Sequence, residues 1–338
     1  MHSKDIHLPY RFRDDLHRWR QLVSPEWLAD LVAGTPVAAA PAGHWRLLEV
    51  GFGALDSYVD GHIPGAGYID TTEFESGPLW KTVGDHVLKA LLQRCAIRHD
   101  TTVVLYGRNM LAAARAAHLL LYAGVDDVRL LDGGFAAWTG LAFPLERGLP
   151  APVPAARDFG ATFPAHPEYL ADMREVRALL QQPGACVVSV RTWNEFIGAT
   201  SGYAYIPARG DIAGARWGRA GSDGDINSMS AYHDAGGRMK PAAEIMRMWH
   251  AEGICADSHA MFYCGTGWRA SLAFFYAWLM GWERIGVYPG GWGEWSRDPG
   301  NPVVCRTSAS YEKFRNGLEE NAAGSPVPCS PTAHRARG

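Results

Sequence analysis

The stretch "FYCGTGWRAS", Phe262 to Ser271, sets a thiol, two glycines and a guanidinium within six consecutive positions: Cys264, Gly265, Thr266, Gly267, Trp268 and Arg269. An apolar run ends at Cys264 and a helical pattern resumes near Ala270. The thiol is therefore expected at the carboxyl end of a strand, facing a helix amino terminus. Unpaired N–H groups and the positive end of the helix dipole stabilise an anion there, which favours the thiolate. Gly265 and Gly267 open backbone conformations closed to other residues, so several amides can turn towards one sulfur atom. Arg269 adds a permanent cation with planar donors. Such a loop supports nucleophilic attack by sulfur and a covalent intermediate. Its Cys-x4-Arg spacing is one residue shorter than the Cys-x5-Arg loop of cysteine phosphatases, whose wider ring of amides holds a tetrahedral phosphate. The shorter loop favours a single sulfur atom.

The elements that must position this loop occur twice. Leu105 to Trp138 lies without a gap over Phe262 to Trp295, with Tyr106 on Tyr263, Gly124 on Gly281, Gly133 and Gly134 on Gly290 and Gly291, and Trp138 on Trp295. The chain is a duplication. Only the second copy keeps the reactive loop, because Gly107 stands at the position of Cys264 and Ala112 at that of Arg269. Each copy reads as strand, loop, helix and strand, with a further strand upstream in "WRLLEV" and "CVVSV". This alternation predicts an α/β fold of two tandem domains, each a mainly parallel sheet flanked by helices.

Five prolines, Pro150, Pro152, Pro154, Pro164 and Pro167, punctuate the segment between the copies, which reads as a linker. The expected organisation is an N-terminal extension over 1–22, a first domain over 23–148, a linker over 149–165, a second domain over 166–306 and a partly disordered tail over 307–338.

Composition excludes several classes. The 338 residues carry a formal net charge of −3 and 47% hydrophobic residues, an ordinary globular balance with no basic half for nucleic acid. No apolar run approaches the roughly 20 residues that cross a bilayer. The polar N-terminus lacks the apolar core of a signal peptide, so a cytoplasmic location is expected. Six cysteines (Cys95, Cys186, Cys255, Cys264, Cys305 and Cys329) form no CxxC pair. Neither a zinc site nor a dithiol motif is visible, and free thiols are expected, with Cys255 at a helix end. No metal or cofactor is implied.

With these motifs in view, the chain resembles the tandem-domain rhodaneses, a sulfurtransferase family, from about Val23 to Arg306. The first half carries "GHIPGA" over Gly61 to Ala66; the second carries "SVRTWNEFIG", "IAGARWGRAG" and "PGGWGEW". The "CGTGWR" loop is most similar to that of bacterial multi-domain members. The resemblance implies that the Cys264 thiolate takes the outer sulfur of a donor such as thiosulfate, holds it as a persulfide against the backbone of Gly265 to Arg269, and yields it to an acceptor. That acceptor would be cyanide, a thiol or a sulfur-carrier protein. Arg191 matches the arginine of the family's Asp-x-Arg motif and would help bind the anionic donor, as Arg269 would. Ser189 replaces the aspartate. Arg216 and Arg219 are further rim candidates. Thr266 fits mercaptopyruvate-specific relatives, whereas Trp268 and Arg269 do not, so thiosulfate is the expected donor and 3-mercaptopyruvate the alternative. The first half, without its cysteine, is expected to complete the cleft.

Overall fold

The computed structural model describes residues 12–307 and 309–312. The expectations for the start of the N-terminal extension, for Cys329 and for nearly all of the tail lie outside these residues.

In the first half the elements run β1 (Leu22–Val23), α1 (Pro25–Val32), β2 (Trp45–Gly51), α2 (Leu55–Asp60), β3 (Gly67–Asp70), β4 (Glu75–Ser76), β5 (Lys81–Thr82), α3 (Asp85–Arg94), β6 (Thr102–Tyr106), α4 (Met110–Ala123), β7 (Asp127–Leu131) and α5 (Gly134–Gly140). Strands β1, β7, β6, β2 and β3 lie side by side in that order as one parallel sheet. The second half repeats the plan with α6 (Met173–Leu179), β8 (Ala185–Ser189), α7 (Trp193–Phe196), β9 (Asp211–Ile212), β10 (Arg216–Trp217), α8 (Ala242–His250), β11 (His259–Tyr263), α9 (Trp268–Leu279), β12 (Ile285–Val287), α10 (Gly291–Trp295) and β13 (Val303–Val304). Its parallel sheet has the order β10-β8-β11-β12. The central strands are continuous apolar runs, "TVVLY" in β6 and "HAMFY" in β11, because helices cover both faces.

Helices α4 and α9 occupy equivalent places in the two copies and pack against one another. Every residue from Leu111 to Ala123 and from Arg269 to Leu279 is buried, far beyond the single apolar stripe of a surface helix. The duplicated helices thus form the seam between the halves, and the end of each strand that precedes them opens onto the same cleft.

The proline-rich segment 149–165 contains no helix or strand, yet it is not a loose tether. Phe159 is fully buried, the Phe159 carbonyl accepts from the His99 amide at 3.0 Å, and the Ala156 amide donates to the Gln93 carbonyl at 2.8 Å. Cys95, Cys186, Cys264 and Cys305 are free thiols, whereas Cys255 is disulfide-bonded, which corrects its expected role as a free helix-end thiol. Among the described residues no helix is long and apolar enough to cross a membrane, and no cluster of ligating side chains could hold a metal.

Candidate active site

Cys264 follows β11 directly and is 2% exposed, at the floor of a cavity of about 210 Å³ that opens between the halves. The chain turns sharply after it. Gly267 takes φ = +101°, a left-handed conformation, and caps α9, and its amide points back to the Cys264 sulfur at 3.2 Å. The Gly265 amide, expected to face the same sulfur, donates instead to the Tyr203 hydroxyl at 2.9 Å. A Cβ at Gly265 would overlap the Tyr203 ring, so glycine is needed there for close approach. The carbonyls of Cys264 and Gly265 accept from the Trp292 and Gly293 amides at 2.8 and 2.9 Å, tying the loop to α10. The residues that follow the duplicated Gly-Gly pair thus clamp the loop from below.

The arginines correct the sequence reading. Arg269 is 1% exposed and makes a two-pronged pair with Glu195, at 2.8 Å for each nitrogen, while also donating to the Tyr203 hydroxyl. Arg191 is fully buried. It pairs with Asp211 at 3.2 Å and lies 3.6 Å from Glu195, donates to the Gly210 and Ser201 carbonyls, and sits over the Trp292 ring. Two guanidiniums meet two carboxylates below the loop, so their donors hold the protein together and do not face an incoming anion. The aspartate missing at Ser189 is supplied from β9. Asp211 accepts from the Ser189 hydroxyl at 2.8 Å and from the Tyr263 hydroxyl, and so orients Arg191 in place of the family residue. Arg216 and Arg219 do not line the cavity. Arg219 pairs with Glu252 at 3.1 Å and stacks on Trp217, and the Arg216 guanidinium lies beside Gly253, away from the loop. Burial alone would raise the Glu195 carboxyl, but the adjacent Arg269 and Arg191 hold it below the ordinary glutamate value. Burial likewise pushes the Tyr203 hydroxyl well above the usual phenol value, so it stays protonated.

The loop residues Cys264, Thr266, Trp268 and Arg269 line the cavity, and the sequence reading missed the rest: Tyr203, Tyr205, Ile226 and Asn227 from the second half, and Phe52, Trp80, Asn109 and Leu111 from the first. Glu195 was visible within "SVRTWNEFIG", although its partner was not. The first half also reaches the loop through a charge. Glu75, fully inaccessible in β4, accepts from Trp268 Nε1 at 2.7 Å and from Arg115 Nε at 2.5 Å. Arg115 is fixed in turn by Thr82 and His118. Changing Trp268 to Phe, which removes the indole N–H, is expected to destabilise the chain by about 1.5–3 kcal/mol, the worth of a hydrogen bond to a charged group. Denaturant midpoints would check this.

In the first copy, the equivalent loop is shut. A Cβ on Gly107 would lie 2.6 Å from the Asn109 carbonyl oxygen and 3.0 Å from that of Val50. Installing cysteine by Gly107→Cys should therefore destabilise the first half by about 1–3 kcal/mol through overpacking, without creating a second reactive thiol. Thiol titration with and without denaturant would test both parts.

Two segments, residues 24–141 and 172–298, match the model of the rhodanese-like domain. The chain belongs to the rhodanese-like family. It is 54% identical over 289 residues to the thiosulfate sulfurtransferase YnjE of Escherichia coli (strain K12), covering 86% of this chain and 66% of that relative, so it spans just under two thirds of that protein's length. The crystal structure of YnjE superposes with a TM-score of 0.84 at 53% identity, over 86% of this chain and 70% of that one. An anaerobic ergothioneine biosynthesis enzyme from Chlorobium limicola, solved with its substrate trimethyl histidine, superposes at 0.82 with 37% identity, covering 86% and 72%. The sulfur carrier protein TtuD of Thermus thermophilus is 29% identical over 84% of this rhodanese-like chain and 96% of its own.

Proposed function

We propose that this chain is a thiosulfate sulfurtransferase with one reactive centre, Cys264, in a second domain over 166–306, and a catalytically inactive first domain over 23–148 with Gly107 in place of the loop cysteine. The Cys264 thiolate attacks the outer sulfur of thiosulfate. The sulfur–sulfur bond of the donor breaks, sulfite leaves with the electron pair, and a persulfide remains on Cys264. A nucleophilic acceptor then bonds to the outer sulfur, and the pair returns to Cys264 as thiolate. No external oxidant is needed. The observation that carries this reading is the placement of the Cys264 sulfur at the cavity floor, receiving the Gly267 amide at the amino end of α9. The loop backbone from Thr266 to Arg269 cradles the persulfide, with the Gly265 amide committed to Tyr203. Arg191 and Arg269 serve by holding that backbone in place through Glu195 and Asp211. Intact mass after incubation with thiosulfate tests the proposal. The expected cytoplasmic location is part of it, with fractionation of the tagged chain as its check.

A second reading, in which the acceptor is a small ring compound, is favoured by the character of the cavity. Its accessible lining is mostly apolar and dominated by Phe52, Trp80, Tyr203, Tyr205 and Trp268. The solved forms of the ergothioneine enzyme include one with a cysteine persulfide, and substitutions of a tyrosine fifty-nine positions before that cysteine and of a threonine two positions after it. Tyr205 and Thr266 stand at those spacings from Cys264. Supplying trimethyl histidine to the persulfide form and following sulfur transfer by mass separates this acceptor from cyanide or a protein tail.

A further inference from the structure

We propose that the wall which the first half adds to the site is a binding cage for a methylated ammonium group, formed by Phe52 and Trp80 together with Trp268 of the loop. This deepens the second reading above and rests on it.

Three rings meet in the lining of the cavity, with Phe52 between the two indoles. Phe52 stands edge-on to Trp80, with centroids 5.1 Å apart and planes at 79°, and edge-on to Trp268, at 6.0 Å and 87°. Phe52 is 51% exposed, a costly position for a phenyl ring with no role at the surface. Trp80 has φ = +52°, in the left-handed region that a bulky side chain avoids, and such strain persists where the surroundings hold it in place. The hairpin that carries Trp80 is held at both ends. Glu75 binds Trp268 and Arg115, and Lys81 pairs with Glu294 of the second half at 3.2 Å. On the opposite side, Asn109 donates to Asn227 at 3.1 Å and spans the cleft. The rings are thus fixed relative to Cys264.

Their electrostatics choose the ligand. Ring faces carry negative potential, so they attract a cation and disfavour an anion. Among the described residues that line the cavity, Arg269 is the one cation, and its guanidinium is engaged by Glu195 and Tyr203. No free cation of that lining therefore competes for the rings or recruits a carboxylate to them. A quaternary ammonium fits better than a primary one, because it has no N–H bonds to satisfy and this wall offers it π faces in place of acceptors. The cavity volume of about 210 Å³ suits a single-ring metabolite, smaller than a drug-sized ligand.

The test uses the full chain carrying Cys264→Ser, which binds without transferring sulfur, and calorimetry with trimethyl histidine and with unmethylated histidine. The methylated probe should bind at least about tenfold more tightly, and tetramethylammonium should compete with it. Adding Trp80→Ala or Phe52→Ala should erase most of that preference, whereas Trp80→Phe should keep much of it. Equal affinity for the two probes would overturn the inference. So would a preference that survives in both alanine variants. Persulfide formation by the wild type reports separately on the parent reading: a mass gain without methyl preference sinks the cage alone, and methyl preference without a mass gain from either thiosulfate or 3-mercaptopyruvate sinks the sulfurtransferase reading alone.

Discussion

Incubated with thiosulfate, the wild-type chain should gain about 32 Da, one sulfur atom, and Cys264→Ser should gain nothing. The added mass should disappear on treatment with cyanide or a thiol. Turnover should fall at least about a thousandfold in the serine variant, because removing the nucleophile removes the covalent route itself. The expectation rests on position as much as on chemistry. Cys95 and Cys186 are enclosed by apolar neighbours that push each thiol up to about 11, which leaves them protonated at neutral pH. Cys305 is exposed but lies outside the cavity. An adduct that survives in Cys264→Ser would reassign the site, and an adduct absent from the wild type would move the donor to 3-mercaptopyruvate.

The second large effect is expected at Glu195. This carboxylate sits between two buried guanidiniums and accepts from both prongs of Arg269 and from the Thr192 amide. Glu195→Ala would strand the Arg269 charge in the interior and leave Arg191 with Asp211 alone. The cost of breaking a buried pair in this way is about 3–5 kcal/mol, enough to lower the melting temperature by roughly 10 °C in a chain of this size. Its pH dependence has a defined sign. The neighbouring arginines outweigh burial and lower the Glu195 pKa in the folded state, so its contribution is complete above the ordinary glutamate value and is lost as pH falls through the folded value. Acid melts of wild type and Glu195→Gln should therefore converge as the pH drops below about 4. Parallel curves down to the lowest pH would count against this assignment.

The reactive loop was legible because its evidence is local. Six adjacent residues announce a strand end, a tight turn and a helix start, and the undecorated copy at Gly107 shows which features can be dropped without losing the fold. The parallel sheets were legible for a similar reason, through continuous apolar strands alternating with helices. The arginines misled because a sequence displays charges without their partners. Arg191 finds Asp211 only when β9, which pairs with β13, packs near the end of β8, and Arg269 finds Glu195 across 74 positions. The aromatic wall left no trace at all. Phe52 and Trp80 come from a different half of the chain, and nothing in their own neighbourhoods connects them to Cys264. The proline-rich segment 149–165 reads as a linker by composition, and the bulk of Phe159 secures it in the core.

The bond from Trp268 to Glu75 gives the first half a role in time as well as in space. A persulfide is a reactive store, discharged by any small thiol that reaches it. In the proposed cycle, the indole held by a carboxylate from the other copy is part of the aromatic lining that a stray reductant would pass on its way to the sulfur. The copy that gave up its own cysteine would then govern how long its sibling's cargo lasts, trading a second reaction centre for a longer shelf life at the first.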